Sequence, residues 1–84
     1  MGEVITLFKI LPKDSGSFEA MKEKVLQQFE DVQKVEQEDI AFGLKALKIT
    51  LVIPDSSGGT DKIEEKINAI PEVGSVELEG IGRI

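Results

Sequence analysis

The sequence predicts an α+β fold of two layers, a four-stranded antiparallel sheet with both helices on one face. Three observations carry that expectation. The first is the run Leu47 to Ile53, where Leu47, Ile49, Leu51 and Ile53 are separated by Lys48 and Thr50. A period of two belongs to a strand with one face on a core and the other partly wet. The second is a pair of segments with apolar residues at helical spacing, one from Phe18 to Phe29 and one from Ile63 to Ile70. The third is order: strand-like and helical runs alternate as β-α-β-β-α-β, and the two most apolar strands come first and third. Those are the central strands of the split βαβ arrangement, the ferredoxin-like sandwich.

Each element has its own local reason. Val4 to Leu11 is a nearly continuous apolar run rich in β-branched residues and closed by Pro12, which suits a central strand. Asp14-Ser15-Gly16-Ser17 reads as a turn, with Ser17 as the N-cap of a helix over 18–30 and Glu19 in its first turn. Phe18, Met21, Val25, Leu26 and Phe29 form the buried stripe of that helix. Val32 to Glu38 is mostly polar, as an edge strand should be, since charge there discourages pairing with another chain.

The central strand follows, preceded by Phe42-Gly43 and stopped by Pro54 and Asp55. Phe42 is either a core plug or a contact residue. Asp55 to Gly59 is a loop by composition, and Thr60 can cap a second helix that holds Asp61, Glu64 and Glu65 early and ends at Pro71. Ile63, Ile67 and Ile70 are its buried face. Val76 and Leu78 alternate with Ser75, Glu77 and Glu79 in a second polar edge strand, and Gly80 to Ile84 ends the chain.

The bulk numbers limit the function. A chain of 84 residues is read as one domain, residues 1–84, burying roughly 60–65% of its unfolded surface. Ten basic against sixteen acidic residues leave a charge of −6, the wrong sign for direct nucleic-acid binding and the right one for a protein partner with a basic or mixed surface. No apolar run is long enough for a spanning helix and the N-terminus lacks a basic, apolar leader, so neither membrane nor secretion is expected and the cytoplasm is. With no cysteine and no histidine, disulfides, thiolate ligands and the commonest general base are gone. Hydrolytic or metal-centred chemistry is not expected, and no cofactor is.

Several local features could carry a site. Gly58-Gly59-Thr60 at a helix start could hold an anion, but acidic residues follow at once, and a turn with an N-cap is the better reading. Glu36, Glu38 and Asp39 match no full set of cation ligands and read as a solvated edge. Phe8 lacks the further aromatics and basic rim of an RNA-binding platform. Arg83 stands out as the one charge in the last five residues, positive and penultimate in an acidic chain.

Taken together these features resemble the guanine-nucleotide exchange domain of translation elongation factor 1-beta in its short archaeal form. The run Ile40-Ala41-Phe42-Gly43-Leu44-Lys45-Ala46-Leu47-Lys48-Ile49 is similar to that family's I-G-F-G-I-K-K-L-Q-I, Gly59-Thr60-Asp61 precedes the second helix, and the chain ends Gly80-Ile81-Gly82-Arg83-Ile84. The resemblance is close in the second half and one of pattern in the first. It implies an exchange factor for elongation factor 1-alpha that meets both the GDP-bound and the nucleotide-free GTPase, is a monomer when free and makes or breaks no bond. It also implies roles: Arg83 would enter and disturb the Mg²⁺ and phosphate region of the partner, and Phe42, Gly43 and Ile84 would contact it. The eukaryotic pattern has lysine where this chain has Arg83. The competing reading is a ferredoxin-like regulatory or oligomerisation module that binds a small molecule. An enzyme of the acylphosphatase kind is disfavoured, because Arg83 and Asn68, the only arginine and asparagine, do not resemble its site.

Overall fold

The computed structural model describes residues 2–29, 32–54 and 59–83, with Arg83 described by its backbone alone. In chain order these form β1 (Glu3–Pro12), a 3-10 turn (Ser15–Ser17), α1 (Phe18–Gln28), β2 (Val32–Asp39), β3 (Lys45–Pro54), α2 (Gly59–Asn68) and β4 (Val73–Arg83). The strands make one antiparallel sheet in the order β2-β3-β1-β4, so the two most apolar strands are its centre.

Register explains the core. Phe8 faces Ile49, Ile10 faces Leu47 and Thr6 faces Leu51 across β1 and β3, all on the face that the helices cover. Phe18, Met21 and Val25 of α1 and Ile67 of α2 close over them, with Ile70 just beyond α2. Burying one such side chain is worth about 1.5–3 kcal/mol. Thr6 is the one buried polar residue among those described, and its Oγ1 donates to the Leu51 carbonyl at 3.0 Å. The opposite face stays open, with Ile5, Leu7 and Lys9 of β1 beside Lys48, Thr50 and Val52 of β3. Phe8 is fully buried under the helices, which disposes of an aromatic platform for RNA.

Element ends depart from expectation in four places. Helix α1 stops at Gln28 rather than residue 30, because Phe29 is already extended at φ −126°, ψ 116°. Ser17 sits at the N-cap without capping; its Oγ donates to Asp14 Oδ1 at 2.9 Å, drawn off by the 3-10 turn before it. Thr60 lies inside the first turn of α2, which already includes Gly59, so it is not the cap. Gly58, the other part of the possible anion loop, lies outside the described residues. Helix α2 ends at Asn68, before Pro71, in turns closed by Ile70 N–H to the Ile67 carbonyl and Val73 N–H to the Ile70 carbonyl, each 3.0 Å.

The largest departure is β4, which runs eleven residues, through Gly80-Ile81-Gly82 to Arg83. At its start a Cβ on Gly74 would meet the Pro12 carbonyl oxygen at 2.8 Å, so only glycine lets the two backbones approach there.

Candidate functional site

The β2–β3 connection is a tight reversal. Leu44 N–H donates to the Ala41 carbonyl at 3.0 Å, and Ile40 N–H to the Leu44 carbonyl at 2.9 Å. Both central residues have positive φ, 58° at Phe42 and 78° at Gly43. Two positive φ values mark the hairpin turns whose twist matches the strands, where Asn-Gly is the usual pair. Phe42 takes the asparagine position. The left-handed region costs a residue with a Cβ about 1–2 kcal/mol.

That ring gains nothing from the fold in return. Phe42 is 99% exposed, and Ile40 beside it is 43% exposed. Phe42 is therefore no core plug. A bulky apolar side chain is here held in a strained turn and projected into water. Next to Gly43 a recess of about 300 Å³ is bordered by Ser15, Gly16, Phe18, Glu19 and Lys45.

Arg83 is elsewhere. Strand β4 runs antiparallel to β1 and places Arg83 opposite Val4, at the other end of the sheet from the turn. The eight steps of β1 from Val4 to Pro12 alone span roughly 26 Å at strand rise. The whole molecule measures 42 × 21 × 18 Å, so the two candidate regions lie near the ends of its long axis. The structure groups Phe42 with Gly43 and keeps Arg83 apart from both. Ile84 lies outside the described residues.

Between the ends the open sheet face carries ion pairs. Lys48 Nζ lies 2.6 Å from Glu38 Oε2 on β2 and 3.3 Å from Glu79 Oε1 on β4. The hydrogen bond from Lys48 holds the Glu38 carboxyl below its ordinary range, and those carboxylates, Glu38 foremost, raise the ammonium above its own. Lys34 takes Glu36 at 3.3 Å. On the helix side Lys24 lies 2.7 Å from Glu72 Oε2 and lowers its pKa through that hydrogen bond. Among the described residues no three carboxylates are grouped to hold a metal, and Glu36, Glu38 and Asp39 lie exposed on β2. No described helix is long and apolar enough to cross a membrane.

Two surface features went unread in the sequence. One is Ile40, whose exposure beside Phe42 depends on how the turn projects. The other is the pairing of Lys48 with both edge strands. A switch of the apolar series from even positions, Val76 and Leu78, to the odd Ile81 was a visible sign that β4 is irregular.

A ferredoxin-like sheet thus holds a bare aromatic at one end and carries the backbone of Arg83 to the other. The profile of the EF-1 guanine nucleotide exchange domain matches residues 5–84. Proteins called elongation factor 1-beta align along the whole chain. That of Natronomonas pharaonis is 36% identical over 88 positions, covering 100% of both chains. That of Methanococcoides burtonii is 39% identical over 87 positions, covering 99% of this chain and 98% of its own. The chain belongs to the elongation factor 1-beta guanine-nucleotide exchange family. Among solved structures, the ACT domain from the GTP pyrophosphokinase of Chlorobium tepidum superposes with a TM-score of 0.70 at 13% identity, over 93% of this chain and 88% of that one. The C-terminal domain of MgtC from Mycobacterium tuberculosis gives 0.57 at 8% identity, over 99% and 88%. At such identities the likeness is one of fold.

Proposed function

We infer that this chain exercises its family's exchange role on elongation factor 1-alpha, promoting GDP release and GTP reloading during translation elongation. In this reading residues 1–84 act as one exchange domain that grips the GTPase at two separated places. Phe42, with Gly43 shaping its turn, anchors one end. Arg83 and Ile84 work at the other, where Arg83 disturbs the Mg²⁺ and phosphate region. The observation that carries the reading is the strained, fully exposed Phe42 set a sheet's length from the C-terminus.

No covalent chemistry is needed. The factor must bind the nucleotide-free GTPase better than the loaded one, and by linkage nucleotide is then held more weakly in the complex. A thousandfold faster release requires about 4 kcal/mol off the barrier, and partial loss of Mg²⁺–phosphate coordination is a source of that size. Arginine is a planar fork and lysine a point charge, so Arg83 acts by pairing with phosphate or with a metal-binding carboxylate rather than by imitating the ion. The factor meets the GDP-bound state first and the nucleotide-free state after release. The charge of −6 supports a protein partner over nucleic acid, and the charged β2 edge supports a monomer when free, working in the cytoplasm.

The test is release of a fluorescent GDP analogue from elongation factor 1-alpha at fixed Mg²⁺. Acceleration that disappears when Arg83-Ile84 is removed is the expected outcome. No acceleration by folded protein on a cognate GTPase overturns the reading.

A further inference from the structure

Beyond a first irregularity at Gly74, strand β4 is two ladders joined by a fault. Ser75 to Leu78 face Leu11 to Phe8 one for one, and Gly80 to Arg83 face Leu7 to Val4 one for one, with Glu79 left over between them. One extra residue exchanges the faces of everything beyond it, because side chains alternate along a strand. With this bulge, Ile81 and Arg83 take the positions opposite Thr6 and Val4, in the helix-covered series, while Gly80 and Gly82 fall opposite Leu7 and Ile5 on the open face. In a regular strand the two sets would be reversed, and Arg83 would stand opposite Glu3. The bulge decides which face of the sheet the backbone position of Arg83 takes.

The backbone of the glycines does not require it. Neither Gly80 nor Gly82 has a positive φ; a Cβ on Gly80 would merely touch the Leu7 Cβ at 4.0 Å, and one on Gly82 would meet nothing within 4 Å. What marks the bulged residue is its side chain, drawn across β1 to Lys48 on β3. The side chains of that pair are partly shielded, at 25% and 27% exposure, and the same ammonium holds Glu38 on β2. Around it stand Lys9, opposite Lys48 on β1, Glu77, opposite Lys9 on β4, and Glu36, opposite Lys48 on β2 and taken by Lys34.

We propose that Glu79, the bulged residue clamped by Lys48, is a positioning residue that sets the face on which Arg83 meets the GTPase. The proposal rests on Arg83 being the residue that acts at the nucleotide site.

Glu79→Val releases the Lys48 clamp and favours a regular strand, in which position 79 stands opposite Leu7 and the Gly80 partner moves from Leu7 to Thr6, visible as shifted cross-strand Hα contacts by NMR. The saturating rate of GDP-analogue release should then fall about a hundredfold, as misplacement of an acting group does. The half-saturating concentration, governed largely by the Phe42 end, should change little. Glu79→Gln and Lys48→Met answer the question if that variant does not fold. Each should lower the saturating rate by roughly three- to fivefold, the range for loss of a surface or half-buried ion pair, again without moving half-saturation. A loss confined to fold stability, with the saturating rate of the folded fraction unchanged in both, overturns the proposal. So does a full rate from a chain whose register has moved. If Arg83→Ala is slow while all three variants are normal, only the positioning role fails; if Arg83→Ala itself is normal, the reading beneath it fails as well.

Discussion

The two ends of the sheet present their residues in opposite ways. At one end Phe42 is placed by local geometry: two hydrogen bonds and two positive φ values within five residues hold the ring out in water. At the other, Arg83 is placed by strand pairing, through a ladder that begins at Val73 and changes register at Gly74 and again at Glu79. A local turn can be altered without disturbing the sheet, whereas a register cannot be altered without moving every residue beyond it. Under the proposed function, the contributions of the two ends to binding and to nucleotide release can therefore be perturbed separately.

The sharpest break in that comparison is Arg83→Ala. Saturating GDP-analogue release should slow by about a hundredfold or more, since the interaction is made on the way to nucleotide release. Binding of the nucleotide-free GTPase, measured by calorimetry, should weaken far less. Equal losses of rate and affinity would merge the two ends into one function.

Phe42→Ala comes next and should behave in reverse. An exposed aromatic anchor costs about 2 kcal/mol on truncation, some thirtyfold in affinity, while the saturating rate persists. Thermal unfolding should show no loss, in contrast to Phe8→Ala, which empties a fully buried site and should cost about 3–5 kcal/mol. Severe destabilisation by Phe42→Ala would return that ring to the core.

Smaller is Phe42→Gly, which relieves the left-handed strain at the turn. It should stabilise the free protein by up to about 1 kcal/mol in chemical denaturation while weakening the complex. A glycine variant less stable than the parent would mean that the strain is absent.

The smallest effect is that of pH, through the ion pairs. Glu38 and Glu72 have native pKa values below the ordinary 4.5, so their contribution is fully present above that value and is lost as pH falls through the lowered ones. Lys48 is raised above 10.5, and its contribution holds below that and is lost as pH rises through the raised value. Stability should be flat near neutrality, and Lys48→Met should flatten both the acid and the alkaline limbs in denaturation curves.

Much of the fold was legible because it is written in local periods. Leu47 to Ile53 alternates, Phe18, Met21 and Val25 recur at helical spacing, and the element order leaves few topologies. Phe42-Gly43 was legible as a bend for the same reason, since Gly43 supplies a positive φ that few residues adopt. The caps and helix ends were less so, because Ser17 had a competing acceptor in Asp14.

By itself, then, the sequence determined the layer order, the central strands, the buried stripes and the acidic surface, all properties of residues close together in the chain. Only the tertiary structure decided that Phe42 faces water, that it lies a sheet's length from Arg83, and that Glu79 is left over between the paired residues of β4. Those depend on which residues stand opposite one another. Pairing partners as distant as Leu7 and Gly80 are chosen by the whole sheet at once, and no local period records the choice.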